Sequence, residues 1–314
     1  MSTPLNLREL SQRSELFAPG HRMCAGCGAP IVVKMVMMAA QYPVVVANAT
    51  GCLEVSTSIA ENTSWKAPWI HTAFENAAAT LAGVETMYRS LRKQGKLDQD
   101  IKFIAFGGDG GTADIGLQSL SGAMERGHDL TYICYDNGAY MNTGIQRSSA
   151  TPFGADTTTC PVGSESQGKL QPRKDLTRIL AAHGIPYVAQ ASPSHWQDLM
   201  KKVRKALDIK GPKFINILAP CNRGWRTEMD DAIQLSRLAV DTCYWPLFEI
   251  ENGQTRITVT PREKKPLVDF LKPQGRFKHL FQPAGEGLLR EAQAQVDAGW
   301  ERLLREQDFQ SGRQ

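Results

Sequence analysis

Four short apolar runs break off, each in turn, into loops of unusual chemistry, and this repeated junction constrains the fold more than any other feature of the chain. Tyr42-Pro-Val-Val-Val-Ala47 leads towards Cys52, and Lys213-Phe-Ile-Asn-Ile-Leu-Ala219 leads to Cys221. Ile101-Lys-Phe-Ile-Ala-Phe106 runs into Gly107-Gly-Asp-Gly-Gly111, and Leu130-Thr-Tyr-Ile-Cys-Tyr135 into Asp136-Asn137-Gly138. Runs of this length, rich in β-branched and aromatic residues and bounded by turn formers, read as buried strands. Helical patterns fall between and after them, over 30–41, 72–94, 113–126, 175–183 and 194–207, the first with Pro30 near its start. Alternating β and α elements predict an α/β fold with a doubly wound, mostly parallel sheet. Ligands of such sheets bind outside the carboxyl ends of the strands. All four loops are therefore expected on one rim.

The stretch 144–174 is polar and rich in Thr, Ser, Gly and Pro, and reads as a long loop, functional or disordered. Past residue 230 come one more helix, a hairpin (247–251 and 255–260 about Gly253), a basic segment and a helix over 286–306. We therefore divide the chain into a cofactor-binding domain, 1–230, and a C-terminal appendage, 231–314, that makes subunit contacts. With 314 residues, 42% of them hydrophobic and 22% charged, the chain can bury a large core. Its net charge of +4 gives no footing for binding nucleic acid. No apolar stretch approaches the roughly 18 residues of a membrane span, and Met1-Ser-Thr-Pro-Leu-Asn-Leu-Arg8 lacks the apolar stretch of a secretory signal. Seven unevenly spaced cysteines in such a chain point to a reduced, cytoplasmic setting rather than to disulfides.

The glycine-rich loop admits two readings. Strand, glycines and helix follow one another as in a dinucleotide turn. Asp109, however, stands where a pyrophosphate would meet the backbone, and a bare carboxylate there repels phosphate. A divalent cation between them turns repulsion into coordination, with Asn137 at the end of the next strand as a second oxygen ligand. A plain βα turn followed by an Asn in a left-handed turn is the alternative. Cys24 and Cys27 form a C-x-x-C pair, and Cys52 and Cys221 stand alone. Four thiolates suit zinc or an iron–sulfur cluster. One pair and two single cysteines fit the cluster better than paired zinc knuckles, and a thioredoxin-like redox pair is the third option.

Gly108-Asp109-Gly110 with Asn137 resembles the thiamine diphosphate motif. Asp136-Asn-Gly-Ala-Tyr-Met-Asn-Thr-Gly-Ile-Gln-Arg-Ser-Ser-Ala-Thr-Pro152, with Cys24-Ala-Gly-Cys27-Gly28, Cys52 and Cys221, resembles the β subunit of 2-oxoacid:ferredoxin oxidoreductases over residues 20–230. The resemblance implies a sheet of the thiamine-diphosphate-binding type, with Mg²⁺ held by Asp109, Asn137 and the carbonyl of Ala139. It also implies cofactor contacts at Gly108, Gly110, Gly111, Asn142, Thr143 and Cys52, and a [4Fe–4S] cluster on Cys24, Cys27, Cys52 and Cys221. The activity implied is oxidative cleavage of a 2-oxo acid, with release of CO₂ and single electrons passing through the cluster to ferredoxin. In most of the family coenzyme A takes up the acyl group. Only one cofactor domain's motifs are present, so a pyrimidine-binding α-type chain is expected to bring the activating Glu, beside a ferredoxin-like chain. Fused single-chain members have an acidic residue where this sequence has Ala29. That departure, with the separate subunits, inclines the substrate towards oxalate over pyruvate and other 2-oxo acids. A non-redox thiamine enzyme with structural zinc, and a scaffold subunit with a cluster alone, are the competing functions.

Other residues are read singly. His71 is placed at a helix head, as a structural histidine or as a wall of the substrate pocket; Arg147 either faces a carboxylate substrate or is solvated. Cys134 reads as a buried apolar residue in its strand, and Cys160 and Cys243 as core or surface thiols. The basic run Arg262, Lys264, Lys265, Lys272, Arg276 and Lys278 is a solvated face or a steering patch for an acidic ferredoxin.

Overall fold

A computed structural model describes residues 6–59, 61–310 and 312; residues 1–5, the start of the segment read above for a signal, lie outside them. Eight strands form one sheet: β1 (Val44–Ala49), β2 (Trp69–Thr72), β3 (Lys102–Gly108), β4 (Thr131–Asp136), β5 (Tyr187–Ala191), β6 (Lys213–Leu218), β7 (Leu247–Glu251) and β8 (Gln254–Val259). They lie in the order β2-β1-β3-β4-β6-β5-β7-β8. The first six are parallel, and β7 and β8 run antiparallel at one side. Every residue of β4 and β6 is buried, as expected of strands covered on both faces.

The larger helices are α1 (Leu7–Ser11), α2 (Gly28–Ala39), α3 (Cys52–Thr57), α4 (Ala77–Lys93), α5 (Leu117–Glu125), α6 (Leu176–Ala181), α7 (Trp196–Asp208), α8 (Asn222–Trp225), α9 (Ala232–Asp241), α10 (Val268–Leu271) and α11 (Glu286–Gln310). On one sheet face, Val32, Val33 and Val36 of α2 and Leu199 and Val203 of α7 pack with Val46, Ile104, Ile133 and Ile215. On the other, Ala78 and Leu81 of α4, Leu120 of α5 and Leu180 of α6 pack with Phe103, Tyr132 and Phe214. A third cluster gathers Trp225, Trp245, Phe270 and Phe277 from the later elements. Among the described residues no helix is long and apolar enough to cross a membrane.

One expectation changes. The helical pattern over 72–94 opens instead with the edge strand β2 and becomes α4 only at Ala77. Trp69, Ile70 and Thr72 are aromatic or β-branched and pair with β1, so His71 lies on a strand, not at a helix head. Residues 231–314 are continuous with the body, since β7 pairs with β5 and α11 lies along β8. There the α11 glutamines cover the open edge. Thr255 N–H donates to Gln310 Oε1 at 2.5 Å and Ile257 N–H to Gln307 Oε1 at 2.6 Å, which leaves fewer free groups for another strand to pair with.

Between β4 and α6 the chain forms a long segment without helix or strand. Buried Lys169 holds it closed: its Nζ donates to the carbonyls of Ser149 (3.3 Å), Thr151 (2.6 Å) and Pro172 (3.1 Å).

Candidate cofactor and metal centre

Because β1, β3, β4 and β6 are parallel neighbours, their carboxyl ends open on the same rim, bringing Cys52, Asp109, Asn137 and Cys221 there. The chain leaves β1 towards β2 and leaves β3 towards β4, in opposite directions. The crevice between β1 and β3 is thus a topological switch point, where such sheets take ligands.

The loop after β3 turns tightly, then enters a wide π-helical turn, Gly111–Ile115, before α5. Gly110 is required here: a Cβ would stand 2.6 Å from the Tyr140 ring, whose hydroxyl donates to the Gly110 carbonyl at 2.8 Å. Asp109 is fully buried. Its Oδ1 accepts from the backbone N–H groups of Asn137 (3.3 Å) and Gly138 (3.2 Å), and its Oδ2 from Ser148 Oγ (2.5 Å). Burial, and next the charge of Asp136, push its carboxyl up to about 7. Asp136 itself pairs with Arg173, whose guanidinium lies over the Trp245 ring at 4.6 Å.

The Asn137 amide reaches both Asp109 Oδ1 and the Ala139 carbonyl. With its nitrogen inward it donates to them at 2.9 and 3.0 Å. With its oxygen inward, three oxygens converge with no proton between them, and that set suits a hard cation. Beside it is a recess of about 30 Å³, lined by Gly51 and Cys52 after β1, Gly108, Gly110 and Gly111 after β3, and Asn137, Ala139, Asn142 and Thr143 after β4.

The cysteine loops are knitted together through backbone. Cys27 caps α2 and donates its N–H to the Cys24 carbonyl at 3.1 Å; Gly28 N–H donates to the carbonyl of Pro220, next to Cys221, at 2.8 Å. Gly26 adopts φ +78 where a Cβ would collide with the Met229 carbonyl. Cys52 begins α3, and Cys221 caps α8 with its Sγ accepting from Gly224 N–H at 3.3 Å. Burial, then the neighbouring thiols, push Cys27 and Cys52 up to about 12, and burial also raises Cys221. Charge on Cys24 would add to the rise in all three. Among the described residues, no three His, Cys, Asp or Glu side chains are placed to hold one metal ion.

His71 stands on the same rim, with Nε2 2.9 Å from Thr50 Oγ1 and 3.7 Å from Glu54. Arg147 is exposed. Cys134 is buried within β4 and Cys243 is buried at φ +57; all seven cysteines are free. The basic run is not an unopposed positive face. Lys264 pairs with Asp297 and Lys265 with Asp241 (3.1 Å), while Arg276 is buried at 3% exposure over the rings of Trp225 and Phe277. Sequence reasoning passed over Ser148, Arg173 and Lys169. A polar loop gives no local sign of which of its members turn inward.

Residues 49–217 match the family of thiamine pyrophosphate enzymes, C-terminal TPP binding domain. The chain is 59% identical over 270 residues to pyruvate synthase subunit PorB of Methanocaldococcus jannaschii, covering 85% of this chain and 91% of that one. It is 53% identical to pyruvate synthase subunit PorB of Thermotoga maritima across 96% of both chains. Ketoisovalerate oxidoreductase subunit VorB of Pyrococcus horikoshii is 44% identical across 92% of both. Among solved structures, 2-oxoglutarate:ferredoxin oxidoreductase from Magnetococcus marinus, with 2-oxoglutarate, coenzyme A and succinyl-CoA bound, shares the fold. Its TM-score is 0.56 at 19% identity, covering 72% of this chain and 81% of that chain.

Proposed function

The chain belongs to the family of pyruvate synthase subunit PorB, the β-type subunits of 2-oxoacid:ferredoxin oxidoreductases, and from that premise we propose that it binds the Mg²⁺-diphosphate end of thiamine diphosphate and a [4Fe–4S] cluster in an enzyme that oxidatively decarboxylates pyruvate. The observation that carries this reading is the convergence of Asp109 Oδ1, the Asn137 amide and the Ala139 carbonyl beside Cys52 at the switch point. Those three groups would hold Mg²⁺. Ser148 and the N–H groups of Asn137 and Gly138 fix the Asp109 carboxylate in place for it. Gly108, Gly110 and Gly111 let the diphosphate approach the backbone, and Asn142 and Thr143 line its recess. When bound, the thiazolium ring supplies an electron sink for decarboxylation and the cluster a one-electron acceptor.

Cys24, Cys27, Cys52 and Cys221 would each hold one corner of the cluster. Four free cysteines, two of them after the ends of β1 and β6 and the other two tied to that rim by the Gly28–Pro220 backbone bond, would suit such a cluster. The N–H of Gly224 on Cys221 Sγ is the kind of bond that tunes such a cluster. His71 and Arg147 are offered as groups facing the substrate. The names of the relatives support pyruvate in place of oxalate. Partner chains bring the pyrimidine-binding wall and the onward path to ferredoxin, and thiolates kept reduced for a cluster suit the cytoplasm.

The test is the purified complex. We expect a brown protein with iron, sulfide, Mg²⁺ and thiamine diphosphate, reducing viologen fastest with pyruvate among pyruvate, 2-oxoisovalerate, 2-oxoglutarate and oxalate. A colourless zinc protein, or one without thiamine diphosphate, would overturn the reading.

A further inference from the structure

Arg276 is a buried cation that forms no ion pair among the described residues, although the charge of Asp109 reaches it. It is 3% exposed, and its Nε donates to Gln274 Oε1 at 2.9 Å; among the described residues no acidic side chain pairs with it. Several neighbouring cations are engaged. Arg173 has Asp136, Lys174 has Asp114 at 3.5 Å, Arg226 has Asp156 at 2.7 Å, and Lys169 has three carbonyls. Stacking over Trp225 (4.3 Å) and Phe277 (5.0 Å) offsets only part of the cost of taking a guanidinium out of water. A fold that keeps such a charge places it against an anion.

Its surroundings identify that anion. Trp225 closes the single turn of α8 that Cys221 caps, and its Nε1 donates to the Asn137 carbonyl at 2.7 Å. Gly275 N–H is bonded to the Arg226 carbonyl at 3.2 Å, and Arg276 Nη1 lies 3.1 Å from where a Cβ on Gly138 would stand. The guanidinium is therefore wedged between the helix that begins at Cys221 and the Asn137–Gly138 turn. Two carboxylates reach that turn, accepting from Gly138 N–H at 3.1 Å (Asp136) and 3.2 Å (Asp109); Asp136 is paired with Arg173, and Asp109 is engaged by Ser148 and two backbone N–H groups. Four thiolates around a cluster would, by contrast, bring net negative charge next to the helix that Arg276 packs on.

We propose that Arg276 is the built-in counter-ion of the cluster on Cys24, Cys27, Cys52 and Cys221, set at its Cys221 corner, and that it raises the cluster's reduction potential. The inference rests on the [4Fe–4S] reading above. One-electron reduction adds a negative charge to the cluster, and a fixed cation in a medium of low dielectric favours the reduced form.

The experiment is a redox titration of the whole complex, poised with dithionite and mediators and followed by electron paramagnetic resonance, with iron and sulfide counted in parallel. In Arg276→Met one cluster potential should fall by at least about tenfold in its reduction equilibrium, ~59 mV for one electron. Arg276→Lys, which keeps the charge, should shift less. Gln274→Glu places a carboxylate against Arg276 without removing it, and should lower the same potential even if Arg276→Met fails to assemble. Unchanged potentials in a fully loaded Arg276→Met or Gln274→Glu enzyme overturn the proposal. So does weakened thiamine diphosphate binding with unchanged potentials, which would assign the cation to the diphosphate. A wild-type complex without iron and sulfide defeats instead the cluster reading on which the proposal stands.

Discussion

At Asp109 one side chain governs what the rim can bind. Burial and the charge of Asp136 push its carboxyl up to about 7, so a bare carboxylate is costly there and a divalent cation would compensate for it. Asp109→Ala should weaken thiamine diphosphate binding at least a hundredfold, about 2.8 kcal/mol, and Asn137→Ala only about tenfold, since an amide oxygen contributes less to Mg²⁺ than a carboxylate. Calorimetric titration of the complex reads both, and unchanged affinity in Asp109→Ala would sink the Mg²⁺ assignment. The iron content should not change in either. Cysteine substitution is the complementary test: Cys52→Ser should strip or destabilise the cluster, and Cys160→Ser should leave iron unchanged. Equal iron loss from the two would show that the four-cysteine set is misassigned. The placement of Asp109, Asn137 and Cys221 on one rim was legible because each ends or closely follows a recognisable apolar run. Ser148 and Arg276 were not. Their partners come from distant segments, and in sequence Arg276 is one more basic residue in a charge run, until Trp225 is seen beneath it.

Among the elements, the parallel strands and the hairpin were readable because burial on both faces demands unbroken apolar runs and Gly253 marks a turn. The edge strand β2 was not, for it is only four residues long, its last residue falls inside the helical pattern that begins at 72, and only one neighbour pairs with it. The segment between β4 and α6 was legible as a loop but not as an ordered one. Its order rests on Lys169, which gathers three backbone carbonyls in the interior. Lys169→Met keeps the apolar stem and removes the donors. Leaving even two buried carbonyls unpaired should cost roughly 2–4 kcal/mol. Because the same segment carries Ser148, which holds Asp109, the loss should reach the cofactor. Limited proteolysis should cut Lys169→Met within 144–174 well before the wild type, and its thiamine diphosphate affinity should fall. Equal protease resistance would mean that the knot is incidental.

For the whole molecule, the decisive quantity is the size of the recess. About 30 Å³ beside the Asp109 loop is far below the roughly 300–1,000 Å³ of pockets that enclose a small ligand. On the reading proposed above, this chain would seat one end of a cofactor against its rim and a second chain would wall the remainder. The rim itself is compact. Adjacent strands stand about 4.8 Å apart, and β1, β3, β4 and β6 are consecutive, so the cysteine and Mg²⁺ groups are spread over roughly 10–20 Å. A cofactor seated there lies within direct electron-transfer reach of a cluster on Cys52 and Cys221. The isolated chain should accordingly keep its cluster, bind thiamine diphosphate at least tenfold more weakly than the complex (~1.4 kcal/mol), and reduce no acceptor from pyruvate. Adding the partner chains should restore affinity and turnover together, as followed by calorimetry and viologen reduction. In a structure of the complex, the thiazolium ring should lie at the subunit boundary, nearer this chain's cluster than any other. Full affinity in the isolated chain, a cofactor enclosed wholly within it, or a cluster on the opposite rim would each break the link drawn here between an open switch point and a shared active site.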